Sequence, residues 1–162
     1  MPTDEQIKRL EDRAWQAFAA HAGQRLTTFN FYLVLSSLLI TAMAATFQKD
    51  FRLPYLGAVV GALLAFMSYL FWRLDKRNRE LIKLSESALK HFEAAISPVD
   101  STQPYHPAAF FLRDDYETGP KKAASKWYWR KHYSYANILD RVYLTFAVVG
   151  LVGAAIALYT GR

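Results

Sequence analysis

LPYLGAVVGALLAFMSYLFW, residues Leu53 to Trp72, runs for twenty residues without an Asp, Glu, Lys, Arg or His. At about 1.5 Å of rise per residue, a helix of that length measures about 30 Å, which matches the hydrocarbon layer of a bilayer. Two further charge-free runs lie on either side of it in sequence, FNFYLVLSSLLITAMAATF (Phe29–Phe47) and VYLTFAVVGLVGAAIALY (Val142–Tyr159). Both are slightly short. The uncharged neighbours Thr27, Thr28, Asn137, Ile138 and Leu139 extend them, and Tyr or Trp at an end is at home among the headgroups. The pattern predicts an all-α membrane protein with three transmembrane helices, at 29–47, 53–72 and 142–159.

The average over the chain hides this. A mean hydropathy of -0.01 and 21% charged residues describe an ordinary soluble domain, because apolar residues are gathered into three runs and charge into the rest. Within 162 residues there is room for three spans and one small head, but not for a separate enzyme domain of usual size. Cys is absent, which excludes disulfides, thiol chemistry and thiolate metal sites. The first 28 residues mix acids and bases and show no short apolar stretch with a small-residue cleavage site, so the first run is expected to stay as a permanent anchor.

Orientation follows from Lys and Arg in the flanks. Lys8, Arg9, Arg13 and Arg25 precede the first span, Lys49 and Arg52 lie in the hairpin, thirteen bases lie between Arg73 and Arg141, and Arg162 ends the chain. Seventeen of the twenty bases therefore fall on one side, with Arg73, Lys76, Arg77, Arg79, Arg130, Lys131 and Arg141 closest to the spans. The N-terminus and middle segment are expected in the cytoplasm, and the hairpin and tail (160–162) outside.

The cytoplasmic parts also read as helical. Thr3 with Gln6 forms a capping-box pattern, and Ile7, Leu10, Ala14, Ala17, Phe18 and His21 recur at helical spacing over the amphipathic segment 1–28. Gly23 marks a place for a bend. After Trp72 no Gly or Pro occurs until Pro98, and Leu74, Leu81, Leu84, Ala88, Phe92 and Ala95 form an apolar stripe, so the second span is expected to continue as a stalk. Residues 97–120, with four prolines and a glycine, read as a loop or short irregular insert. A third long helix is expected from Lys121 to Tyr159. The short hairpin makes the first two spans antiparallel neighbours, and the extensions within 73–141 are expected to form a small cytoplasmic bundle with the first helix.

Inside the spans, Gly57, Gly61 and Ala65 form one ridge of small residues, and Gly150, Gly153, Ala154 and Ala157 another. Such ridges let backbones approach closely, either within the three-helix unit or between copies of the chain. No ionisable group occurs in the runs, which disfavours a secondary transporter. Ser36, Ser37, Thr41, Ser68 and Thr145 are the polar candidates; they either bond to local carbonyls or line a narrow oligomeric pore.

The segment Lys126-Trp127-Tyr128-Trp129-Arg130-Lys131-His132-Tyr133 alternates aromatic and basic residues. A few turns before a span, Trp127, Trp129, Arg130 and Lys131 suit a membrane interface or an anionic ligand such as a nucleotide, and nucleic acid is not expected. No enzyme is expected either. His21, His91, His106 and His132 are scattered, the acidic run Asp114, Asp115 and Glu117 reads as a solvated turn, and no phosphate-cradling loop or nucleophile elbow occurs. The sequence implies no metal and no cofactor.

The charged helix running through HAGQRLTTFNFYLVLSSLLITAMAATF, the tight hairpin, and the second span passing into FWRLDKRNRELIKLSESALKHFE together resemble the SLATT-like small membrane effectors of bacterial anti-phage and nucleotide-signalling systems. The likeness covers about Arg13 to Phe92 and is architectural. It implies a non-enzymatic, homo-oligomeric effector of the bacterial inner membrane that answers a cytoplasmic signalling partner or nucleotide ligand by forming a pore or disrupting the bilayer. The alternative is a membrane scaffold that recruits a soluble cytoplasmic partner.

Overall fold

The structure is a computed structural model, and it describes residues 3–48, 53–96, 109–116 and 135–161. Among these there is no strand. Helix α1 spans Asp4–Ala45 and α2 spans Pro54–Ile96. A short helix α3 covers 110–116, and α4 spans Tyr135–Thr160.

Local chemistry accounts for the helix ends. The Thr3 amide donates to Gln6 Oε1 at 3.0 Å and the Gln6 amide to Thr3 Oγ1 at 3.4 Å, so two of the donors a helix leaves unpaired at its start are satisfied reciprocally. Asp4 and Glu5 in the first turn also favour the positive end of the helix. Pro54 stands at the first helical position of α2, where its missing N–H costs nothing. Gly23 introduces no break: α1 continues through it into the first span. No Pro falls within α1 or α4. Inside the stretch read as a loop, α3 supplies two turns, and the part of the third helix expected over 121–134 lies outside the described residues.

Apart from Thr46, Phe47 and Leu53 at the hairpin, the three charge-free runs lie in α1, α2 and α4, each long and apolar enough to cross a membrane. Only 17%, 28% and 22% of their apolar windows are buried within the chain. Most of each span therefore faces outward, to lipid or to another polypeptide.

The chain divides into two compact units. One comprises residues 25–77 and 134–162 and holds the spans. Here α1 and α2 are antiparallel, with Arg25 meeting Asp75 and Tyr32 meeting Ser68, while α4 is antiparallel to α2 and parallel to α1. The core is aromatic. Tyr32, Phe71, Leu139 and Tyr143 are buried together, and the Tyr32 ring centroid lies 4.7 Å from that of Tyr143 and 5.2 Å from that of Phe71, within the range of favourable tilted ring pairs.

The other unit comprises residues 1–24 and 78–133. Phe18 of α1 packs edge-on against Phe111 of α3 at 5.2 Å and stacks on Trp15 at 5.8 Å. Glu93 of α2 accepts the Phe111 and Leu112 amides at 3.1 and 3.0 Å and so caps α3 from a neighbouring helix. Lys90 bonds Asp115 at 2.5 Å and Glu86 at 2.6 Å. Burial pulls the Lys90 ammonium down, but its two carboxylate partners outweigh burial and the net shift is upward.

The inward face of the α2 stalk overlaps the apolar stripe read in the sequence only in part, with Leu81, Ala88 and Phe92 half-buried. Leu74 and Leu84 are 53% and 68% exposed, whereas Asp75, Asn78, Ser85 and Leu89 are buried. Hydrophobic periodicity misplaces the phase here because the inward positions are partly polar.

Candidate functional site

The small ridges of α2 and α4 oppose each other. A Cβ built on Gly61 would stand 2.5 Å from the Gly150 carbonyl oxygen and 2.8 Å from the Ala154 nitrogen, and one on Gly150 would stand 2.6 Å from the Gly61 carbonyl oxygen and 2.9 Å from the Ala65 nitrogen. The obstacles are backbone atoms that no rotamer change can remove. Gly57 abuts Thr46 and Ala157, and Gly153 abuts the Met43 side chain of α1. Six of the ridge residues thus lie in the α2–α4 seam, Gly57, Gly61, Ala65, Gly150, Ala154 and Ala157, while Gly153 faces α1. In lipid, dispersion across such close contacts replaces the hydrophobic drive available in water.

A polar belt crosses the end of the bundle nearer Arg25. Arg25 grips the Asp75 carboxylate with Nε at 2.6 Å and Nη2 at 3.2 Å, and the two side chains are only 13% and 2% exposed. The Trp72 indole N–H donates to Asp140 Oδ1 at 3.1 Å, and the Lys76 ammonium sits 4.0 Å from the centre of the Trp72 ring. Deeper in, the hydroxyls of Tyr32 and Ser68 share a hydrogen bond of 2.9 Å, and Ser68 also bonds the Leu64 carbonyl. The Arg25–Asp75, Trp72–Asp140 and Tyr32–Ser68 pairs join helices far apart in sequence. Spacing rules do not reveal them.

Among the described residues, outward-facing polar groups fall into one line along α1. Asn30, Val34, Ser37, Thr41, Ala44 and Gln48 recur at alternating four- and three-residue steps, and every one is exposed. Ser37 Oγ donates to the Val34 carbonyl and Thr41 Oγ1 to the Ser37 carbonyl. The Asn30 amide makes no hydrogen bond among the described residues. By contrast, the exposed positions of the α2 span are Leu56, Val59, Leu63, Phe66 and similar residues, and those of α4 are Leu144, Val148, Leu151, Val152 and Ile156, with Thr145 bonded to its own helix. The sequence reading passed over Asn30. Its spacing from Ser37 and Thr41 was the signal.

Trp127, Trp129, Arg130 and Lys131 lie outside the described residues. Among the described residues no group of His, Cys, Asp or Glu has the arrangement of a metal site, and Asp115 of the acidic run is engaged by Lys90.

Residues 8–159 match the octameric membrane protein family (8xMP). The chain belongs to this family. It is also 35% identical over 94 residues to CD-NTase-associated protein 19 of Escherichia coli, an alignment that covers 58% of this chain and 62% of that protein. It thus spans less than two thirds of that relative's length. No solved structure matches. For an 8xMP member, lipid is the medium against which the three apolar helices are folded, so seam, belt and outward face are all to be read as features of a membrane protein. The likeness to SLATT-like effectors remains one of architecture.

Proposed function

We propose that the protein is a non-enzymatic, homo-oligomeric effector of the bacterial inner membrane, acting in anti-phage defence by opening a pore when a cytoplasmic signalling partner or nucleotide ligand engages its extramembrane helices. The observation that carries this reading is the α1 face. In α1 Asn30, Ser37, Thr41 and Gln48 fall on one outward line at membrane depth, whereas the outward face of α2 is aliphatic and aromatic and that of α4 carries Thr145 among aliphatic residues. Membership of a family described as octameric supplies the other copies, and a relative named for association with a CD-NTase supports a signalling context.

Turned toward a common axis, the α1 strips give a lumen lined by amide, hydroxyl and methyl groups without fixed charge. Eight helices about 10 Å across, set side by side in a ring, enclose an opening of about 16 Å. That is wide enough for hydrated ions. The Lys and Arg distribution supports a cytoplasmic N-terminus and an external C-terminus.

The absence of Cys from the chain makes a direct test available. Single-cysteine variants Ser37→Cys and Thr41→Cys are compared with Leu63→Cys and Phe66→Cys in cells whose membrane potential is followed with a dye. The reading expects depolarisation on activation, with a water-soluble thiol reagent blocking it at positions 37 and 41 only. A chain that never depolarises the membrane, alone or with its genomic neighbours expressed, would be a scaffold instead.

A further inference from the structure

Between α2 and α4 lies a half-open cavity of about 440 Å³, lined by Ser68, Tyr69, Trp72, Lys76, Asp140, Tyr143, Leu144 and Ala147. Its volume falls within the roughly 300–1,000 Å³ of sites that hold small organic molecules. The cavity has a charged end and an apolar end. Lys76 and Asp140 stand just beyond the charge-free runs, which stop at Trp72 and begin at Val142. Ser68 and Ala147 lie two turns further in, about 12 Å along the helices at 1.5 Å per residue. The walls at the deep end, Tyr69 and Leu144, are 53% and 65% exposed, so the cavity opens sideways toward the surrounding lipid.

This gradient is that of a phospholipid. We propose that the α2–α4 cavity is a binding site for a phospholipid with a zwitterionic ethanolamine headgroup, its phosphate on Lys76, its ammonium on Asp140, and an acyl chain lying along Tyr69, Leu144 and Ala147. Charge complementarity selects the ligand. Among the described residues the cavity lining offers one cation and one anion, which matches a headgroup carrying both signs, whereas a singly anionic glycerol headgroup meets Asp140 as a like charge. Stacked over the Trp72 ring, the Lys76 ammonium is held at the rim with donors remaining for phosphate. Asp140 accepts the Trp72 N–H through one oxygen, and each carboxylate oxygen accepts more than one donor. Trp72 therefore orients both charges, and its amphipathic ring occupies the interfacial depth that Trp prefers. The site is complete within one chain. It stands whether or not the assembled protein conducts ions.

The full chain, purified in detergent, is examined by native mass spectrometry with phosphatidylethanolamine or phosphatidylglycerol added. The wild-type chain is expected to retain ethanolamine lipid saturably, at one per chain, and at least about tenfold better than glycerol lipid. Lys76→Gln should weaken retention of both about tenfold, Leu144→Trp should abolish retention by filling the cavity, and Asp140→Asn, which keeps the acceptor for Trp72, should erase the preference for ethanolamine. Circular dichroism identifies variants that have lost their helices, and the conservative Asp140→Asn change carries the test should Leu144→Trp misfold. Equal retention of the two lipids by the wild-type chain, a preference unchanged in Asp140→Asn, or retention by all folded variants alike would overturn the proposal.

Discussion

Replacing Gly61 by Ala adds a single methyl group, and the seam specifies what that methyl meets. It would stand 2.5 Å from the Gly150 carbonyl oxygen, while ordinary contact begins near 3.4 Å. The two helices must therefore separate by up to about 0.9 Å at that point, and a shift of that size weakens the dispersion contacts on either side of the crossing. Overpacking of this kind costs about 1–3 kcal/mol. Opposing it is the gain from replacing a mid-helix Gly, about 0.4–1 kcal/mol. Gly23→Ala isolates that gain, because a Cβ there meets nothing within 4 Å. Both proteins are unfolded in mixed detergent and denaturant and followed by loss of helical signal. Gly23→Ala should be more stable than the parent, and Gly61→Ala should fall below Gly23→Ala by about 1–3 kcal/mol, a factor of roughly 5 to 150 in the unfolding equilibrium. Stabilisation of the two variants to the same extent would mean that α2 and α4 do not meet backbone to backbone, and the seam would have to be abandoned.

Breaking the ion pair with Arg25→Ala should cost about 3–5 kcal/mol, because it leaves the buried Asp75 carboxylate without its bidentate partner; replacing both residues, Arg25→Met with Asp75→Leu, should recover most of the loss in the same unfolding assay. Tyr32→Phe should cost under about 1 kcal/mol, since Ser68 keeps its bond to the Leu64 carbonyl and hydrogen bonds between membrane helices average about 0.6 kcal/mol. Lys90→Ala should speed hydrogen exchange at the Phe111 and Leu112 amides, because α3 loses its Asp115 tether; an unchanged rate would assign the anchoring to Glu93 alone. The Lys90 contribution follows pH by the same logic: with its pKa raised in the fold, that stability is fully present below the ordinary lysine value of about 10.4 and is lost only above it, so stability scans between pH 6 and 9 should show no step from this group.

The spans were legible because lipid imposes a rule on sequence that a soluble core does not. An unpaired charge is excluded over a full bilayer thickness, so each span shows as a gap in the charge pattern, and all but the hairpin ends of the three gaps fall in described helices. The Thr3 and Gln6 cap was legible for a similar reason, since both partners sit within one turn. What the sequence could not supply was rotation about each helix axis. In the stalk of α2 the buried positions include Asp75, Asn78 and Ser85, which hydrophobic periodicity assigns to solvent. The ridges around Gly61 and Gly150 were visible, but nothing local says which ridge opposes which, because each fits several partners equally well. Arg25 and Asp75 are fifty residues apart, and their pairing is a property of the hairpin and not of either segment.

The polar groups of the spans divide into two chemical kinds, and the division bears on how such a chain could be harmless until called upon. Tyr32 and Ser68 are satisfied across helices and cannot turn outward without losing a partner. Ser37 and Thr41 are satisfied by carbonyls of their own helix, so their bonds survive whatever lies outside. A hydroxyl bonded within its helix pays little to face lipid and still offers a lone pair to water. On the reading proposed above, the α1 strip therefore tolerates lipid in a dispersed chain and water in an assembled one, with a small free-energy difference that a signal acting on the extramembrane helices is able to tip. Asn30 is the exception that sets direction. Its amide has no partner among the described residues, so assembly that brings it water or another Asn30 is favoured over dispersal in lipid. Asn30→Leu should consequently raise the amount of chain needed for depolarisation several-fold while leaving monomer stability unchanged, whereas an identical dose response would remove α1 from the conducting path.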